Sequence, residues 1–372
     1  MNILICTPCL LVGGTEIQTL NLVESLVLGG HKVTVLSYFE FDNGMVGRYR
    51  NACCDVICLN KGGQRLSGLR SILFLFKGLR RVVKMVKPEV VHVQYMAPGA
   101  IPIILLKLLG VKNIIATAHT AADIYPSLKL VHFIQRYCLR AFTCITKLAE
   151  ESFFGSSQLY TPQTKLGKRN HFTIYNALSS HIAIREDKKV FSDTTIIGVV
   201  SRLECIKGMD LVVPAFAQLQ NNYPATKLLI VGDGSQRELM ESQADKLDVT
   251  SKIEFVGRQN REALEAYYDK IDILLMPSRS EGFGLTAIEG MARGCVVVAS
   301  DVGGLPEVVV DKVGLLHKSE DVDSISDNIT KLLGDRELLE RLSANAPKYV
   351  TKFQFEHYSL LFNDLYNKLQ CQ

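Results

Sequence analysis

No apolar run in this 372-residue chain is long enough to cross a bilayer. The longest, Ile101 to Leu109, is interrupted by Lys107. Met1-Asn2 leads straight into an apolar strand, Ile3–Cys6, with no basic stretch before it, so no signal peptide is expected. Low-complexity segments and internal repeats are missing from the sequence, which removes linker-like and solenoid classes. Of the ten cysteines, Cys53 and Cys54 are adjacent and the others are scattered. Cys6-Thr7-Pro8-Cys9 has C-x-x-C spacing but no second pair and no nearby histidine, so free thiols in a reducing cytosol are expected rather than a zinc or redox site. The dinucleotide fingerprint G-x-G-x-x-G is missing after the first strand, and no acidic residue cleanly ends the second, which argues against NAD.

What is present describes an ordinary globular protein, 47% hydrophobic and 22% charged, long enough for two domains. The net charge of +4 conceals an asymmetry. Residues 1–186 hold 21 Lys+Arg and 10 Asp+Glu, a net of +11; the remaining 21 and 28 give residues 187–372 a net of −7. The first half should favour an anionic surface or ligand. Thirteen short apolar strands alternate with amphipathic helices. Seven run from Ile3–Cys6 to Phe172–Tyr175, including Thr143–Thr146, and six from Thr195–Ser201 to Val313–Leu316. Such alternation predicts parallel sheets covered by helices on both faces. The polar stretch Ser179 to Thr194 reads as a linker. The expected division is 1–185, 186–354 and a last segment, 355–372, crossing back to the first domain.

Parallel open sheets bind ligands beyond the carboxyl ends of their strands, and the chemistry-bearing residues fall there. Glu281 and Glu289 bracket Glu281-Gly282-Phe283-Gly284-Leu285-Thr286-Ala287-Ile288-Glu289, between an expected strand, Ile271–Met276, and an expected helix, about Leu285 to Arg293. A strand, a glycine loop and a helix N-terminus make an anion site, with carboxylates on either side to accept hydroxyls. Phosphate flanked by hydroxyls describes a nucleotide sugar. Arg202 and Lys207, in Ser201-Arg202-Leu203-Glu204-Cys205-Ile206-Lys207-Gly208, put a phosphate-gripping fork and a point charge on one loop. His119 ends the fifth strand, where an imidazole can meet a sugar hydroxyl or the reaction centre. Gly13 and Gly14 let a ligand approach the backbone at a helix start, and backbone groups around Gly257-Arg258 could read a base edge.

Together these motifs resemble the family 4 glycosyltransferases of GT-B fold, over nearly the whole chain. The match rests on Gly-Gly-x-Glu at Gly13, His119, Arg202 through Lys207-Gly208, Val256-Gly257-Arg258, the two glutamates with seven residues between them, and Gly303-Gly304-Leu305-Pro306-Glu307. The resemblance implies an α/β fold of two doubly wound Rossmann-like domains facing across a cleft. It implies a retaining hexosyl or N-acetylhexosaminyl transfer from a nucleoside-diphosphate sugar, with UDP expected, to a glycan or lipid-linked acceptor in polysaccharide, lipopolysaccharide or glycolipid assembly. No cofactor, catalytic metal or nucleic-acid partner is expected. Glu281 would hold donor-sugar hydroxyls and Glu289 the ribose. Arg202 and Lys207 would clamp the diphosphate with the N–H groups of Leu285 and Thr286. Phe283, Gly284, Gly257 and Arg258 would complete the donor site, and His119, Gly13 and Gly14 the first-domain side. The leaving phosphate itself would take the acceptor's proton. One departure is Ile174-Tyr175-Asn176-Ala177-Leu178, where many members have Asn-Gly-Val followed by Asp. A sugar-nucleotide epimerase and an inactive nucleotide-sugar binder are the alternatives.

Leu69–Lys87 is basic and amphipathic, and Lys61 to Lys87 contains no acid, the make-up of a helix lying on anionic lipid. A cytoplasmic enzyme held peripherally at the inner leaflet is therefore expected, against the alternative of a core helix with a solvated basic edge. Asp123 is a candidate for meeting an acceptor hydroxyl.

Overall fold

A computed structural model describes every residue except 61–67, 95–99, 123, 124, 126, 168, 371 and 372. Asp123, Lys61 and Arg65 lie outside the described residues. The chain forms two compact units, Met1–Ala177 with Phe355–Gln372, and Leu178–Gln354.

The first unit contains β1 (Asn2–Thr7), α1 (Gly14–Leu28), β2 (Lys32–Ser37), α2 (Asn43–Asn51), β3 (Asp55–Cys58), α3 (Gly68–Val86), β4 (Val90–Gln94), α4 (Ala100–Leu108), β5 (Ile114–Ala118), α5 (Leu128–Tyr137), β6 (Ala141–Cys144), α6 (Lys147–Phe154) and β7 (His171–Thr173). The second contains β8 (Ile196–Val200), α7 (Met209–Leu219), β9 (Lys227–Val231), α8 (Arg237–Lys246), β10 (Ile253–Gly257), α9 (Arg261–Lys270), β11 (Ile273–Met276), α10 (Leu285–Ala292), β12 (Val296–Ser300), α11 (Leu305–Val308), β13 (Gly314–His317), α12 (Val322–Gly334) and α13 (Arg336–Val350). The last helix, α14 (Phe355–Gln370), belongs to the first unit.

Both sheets are parallel, ordered β3-β2-β1-β4-β5-β6-β7 and β10-β9-β8-β11-β12-β13. The strand order reverses between β1 and β4, and again between β8 and β11, which opens a crevice past the carboxyl ends of those strands. Strand side chains alternate faces, so each sheet needs two apolar coats. In β1, Leu4 and Cys6 enter a core with Leu75, Leu79 and Val82 of α3. Ile3 and Ile5 enter the opposite core with Tyr358, Phe362 and Tyr366 of α14.

Each strand read from the sequence has a counterpart, with shifted ends. The sixth occupies Ala141–Cys144 rather than Thr143–Thr146, because the Thr146 hydroxyl leaves the ladder to cap α6, accepting from the Ala149 N–H at 3.1 Å. The unit boundary also falls earlier than residue 185. Leu178 N–H donates to Phe353 O at 2.7 Å, Arg185 pairs with Asp269 at 2.6 Å, and Lys189 donates to Tyr268 O at 3.2 Å. The polar stretch is thus sewn to the second unit. Ala177, standing where glycine is common in the resembling family, is fully buried and held by both amide atoms of Gln18, at 2.8 and 3.0 Å.

A buried acid anchors the far side of the first unit. Glu150 accepts from Arg169 at 2.9 Å, His171 at 2.7 Å, Thr173 at 2.6 Å and the Gln158 N–H at 3.0 Å. Burial raises its pKa, but these donors win, and the carboxyl sits below its ordinary 4.5. A depressed folded-state pKa stabilises above the unfolded value and loses that contribution as pH falls through the folded one. Glu150→Gln should therefore lower the denaturation midpoint at neutral pH, with wild type and variant converging as pH falls below about 4.5. Parallel midpoint curves would contradict this.

Candidate active site

Two loops meet at the switch point of the second sheet. The first follows β8 and closes in a 3-10 turn, Cys205–Lys207. Gly208 ends that turn at φ +67°, where a Cβ would lie 1.9 Å from Pro277 O. Only glycine lets the two loops touch there. The second loop follows β11 and carries Glu281. Its backbone is held from behind: Gly304 N–H donates to Glu281 O at 3.0 Å, and Gly303, at φ +54°, leaves that oxygen room a Cβ would fill at 2.0 Å.

The consequence is a side-chain pair from residues 74 apart. Lys207 Nζ lies 2.6 Å from Glu281 Oε2, with both side chains about one-fifth exposed. Four residues beyond Glu281, α10 begins at Leu285, and its N-cap, Gly284, offers no side-chain cap. Helix geometry leaves the first-turn N–H groups of Leu285 and Thr286 without intrahelical acceptors, at the positive end of the dipole. An ammonium, a carboxylate and a helix N-terminus therefore converge on one crevice, suited to an anion with hydroxyls beside it.

Other expected residues take different places. The Arg202 side chain is exposed and makes no hydrogen bond or ion pair with a described residue; its carbonyl accepts from the Glu204 N–H at 2.9 Å. Gly257 ends β10 at a register shift, with Arg258 exposed after it. Phe283 is a correction: its ring is 2% exposed and packs edge-on against Phe353 at 5.6 Å, so the side chain belongs to the core. Glu289 is a second. It is 3% exposed, and its carboxylate already accepts from Ser179 Oγ at 2.7 Å, Arg261 Nη2 at 2.9 Å and Tyr268 OH at 2.9 Å. It is a buried anchor first, with at most one lone-pair site left for a ribose hydroxyl.

In the first unit, Gly13 caps α1 in extended backbone and Gly14 opens the helix. His119 is buried and bonded through Nε2 to Gln94 Oε1 at 2.8 Å. Burial pushes its pKa down to about 3, so the imidazole is neutral at physiological pH and acts as a hydrogen-bonding group, not as a cation. Arg279, Asp210, Arg261, Ser179 and Tyr268 were not singled out from the sequence. No motif marks them, and their roles rest on side-chain direction.

Two family descriptions match the chain, Glycosyl transferase 4-like over residues 9–148 and Glycosyl transferases group 1 over residues 180–349. An uncharacterised glycosyltransferase of Methanocaldococcus jannaschii is 26% identical over 361 residues, covering 96% of this chain and 95% of that protein. N-acetyl-alpha-D-glucosaminyl L-malate synthase of Bacillus anthracis is 26% identical over 302 residues, covering 76% and 77%. Among solved structures, Anabaena HepE in complex with UDP superposes with a TM-score of 0.78 at 16% identity, covering 99% of this chain and 100% of that one. The fold is the two-domain GT-B architecture.

Proposed function

This chain belongs to the family 4-type glycosyltransferases of GT-B fold, and from that membership we propose a retaining transfer from a UDP-sugar to a glycan or lipid-linked acceptor in cell-surface polysaccharide or glycolipid assembly. The observation that carries this reading is the Lys207–Glu281 pair, four residues before the uncapped start of α10. The diphosphate lies against the Lys207 ammonium and the N–H groups of Leu285 and Thr286, with Arg202 reaching it from the same loop. Glu281 accepts donor-sugar hydroxyls. An ammonium has three donors, so Lys207 can serve phosphate and Glu281 together. The bond from the anomeric carbon to the phosphate oxygen breaks, and the acceptor oxygen bonds the same face of that carbon. The leaving phosphate oxygen takes the acceptor's proton. Charge growing on that oxygen is offset by Lys207 and the α10 dipole, so this reading needs neither cofactor nor metal. The UDP bound to HepE supports the nucleotide, and the N-acetylglucosaminyl activity in the Bacillus relative's name supports a hexosyl or N-acetylhexosaminyl donor.

The test is a thermal-shift screen of nucleotide sugars, followed by NMR of the product anomer. A UDP-sugar should raise the melting temperature, because a ligand that binds only the folded state stabilises it. UDP should then appear only with acceptor, and the donor's anomeric configuration should persist. Sugar interconversion without acceptor would indicate the epimerase alternative, and an inverted product would overturn retention.

The lipid-linked arm rests on α3. Its Leu75, Leu79 and Val82 are buried, whereas Leu69 is 79%, Leu73 60% and Met85 63% exposed beside exposed Arg70, Lys77, Arg80, Arg81 and Lys84. No described helix is long and apolar enough to cross a membrane. In the proposed reading this helix docks on the anionic inner leaflet from the cytoplasm, each surface-proximal Lys or Arg contributing about 1 kcal/mol. Wild type should float with phosphatidylglycerol liposomes. Changing Arg80, Arg81 and Lys84 to Glu should abolish flotation, and equal flotation would refute the docking.

A further inference from the structure

The loop bearing Lys207 does not hold itself. A three-residue 3-10 turn carries too few internal hydrogen bonds to fix a side chain, and Cys205 and Ile206 in it are exposed. Arg279, two residues before Glu281, supplies what the turn lacks. Its backbone N–H donates to Ile206 O at 2.9 Å. Its guanidinium donates through Nη1 to Cys205 O at 2.6 Å, and forks onto Asp210 at 2.7 Å (Nη1 to Oδ1) and 2.8 Å (Nη2 to Oδ2). Nε donates to Glu320 at 2.6 Å. Asp210 lies in the first turn of α7, directly beyond Gly208. Arg279 therefore ties the turn, the start of α7 and its own loop into one body, and it does so from both sides of Lys207 in sequence. The guanidinium holds the Asp210 carboxyl below its ordinary pKa, so the fork stays ionised at neutral pH.

We infer that Arg279 is a positioning residue for the transfer: with Asp210 it fixes the Cys205–Gly208 turn, so that Lys207 meets the donor diphosphate in one geometry. Arg279 spends its donors on protein and acts on the nucleotide only through Lys207. This rests on the proposed role of Lys207, which the experiment separates. Lysine cannot replace the arginine, because a point charge cannot span two carboxylate oxygens and the Cys205 carbonyl together.

The test is a double-mutant cycle on UDP affinity, by isothermal titration with the full-length protein. Arg279→Met should weaken UDP binding about fivefold in the wild-type background, and by less than about twofold once Lys207 is already alanine, because coupled groups are not additive. Asp210→Asn should show the same dependence on Lys207. Arg279→Lys keeps the charge and loses the fork, so it should fall between wild type and Arg279→Met; it also serves as the measured variant if Arg279→Met fails to fold. Equal weakening in both backgrounds would overturn the inference while leaving the phosphate role of Lys207 standing. If Lys207→Ala alone leaves UDP affinity unchanged, the reading of Lys207 falls, and this inference with it.

Discussion

Lys207→Ala should cut turnover by about 100-fold, the usual scale for removing one preorganised stabiliser of transition-state charge. It should barely move the melting temperature. Each side chain keeps about one-fifth of its surface in water, so breaking the pair should cost the fold less than breaking a fully buried one. Water can solvate the carboxylate left behind. Turnover is different, because charge builds on the leaving phosphate only as the glycosidic bond breaks. An interaction that strengthens along that coordinate shows mainly in kcat, and one already complete in the bound donor shows in KM. Steady-state kinetics with saturating acceptor separate the two. An unchanged kcat would refute charge stabilisation by Lys207, and a fall in KM alongside kcat would point to relief of ground-state strain instead.

Glu289→Ala should instead act on stability, costing about 3 kcal/mol in the second unit, the lower end for breaking a buried ion pair. The loss exposes no new water-filled surface to compensate. Tyr268 is fully buried, and its hydroxyl would lose its acceptor. Arg261 would keep only Ser179 Oγ, at 3.0 Å. Glu289→Gln preserves shape and one acceptor, and should recover part of the loss. Chemical denaturation of the three proteins measures this. A Glu289→Ala protein that melts like wild type but binds UDP poorly would return the residue to the role of a nucleotide ligand.

These two glutamates show what a sequence discloses and what it withholds. Spacing placed both beside the α10 N-terminus, and strand-end logic placed Lys207 in the same crevice from 74 residues away. Alternating apolar segments gave both parallel sheets, since strands covered on two faces must be apolar throughout. Spacing does not encode side-chain direction. Glu281 meets Lys207, whereas Glu289, about one turn into the helix, points into a nest of donors from Ser179, Arg261 and Tyr268. Phe283 was counted with the donor site because its neighbours are there, yet a ring beside two glycines buries itself against Phe353. Arg279 escaped notice because a lone arginine in a loop is ordinarily solvated, and its guanidinium's acceptors belong to Cys205, Asp210 and Glu320, at least 41 residues away in sequence. The boundary was misplaced for a related reason: a polar segment reads as a tether, but Arg185 and Lys189 spend their charge on Asp269 and the Tyr268 carbonyl.

The return of α14 sets an order on how this molecule is made. A ribosome delivers Met1–Ala177 first, but that portion lacks Tyr358, Leu361, Phe362, Leu365, Tyr366 and Leu369, which share one side of its sheet with α1 and α2. The stretch from Leu178 to Gln354 emerges later with every strand and helix it requires, its two ends stitched by a hydrogen bond between Leu178 and Phe353. The portion synthesised first is thus finished last. While Phe355–Gln370 is still untranslated, part of the first unit's apolar core stands uncovered.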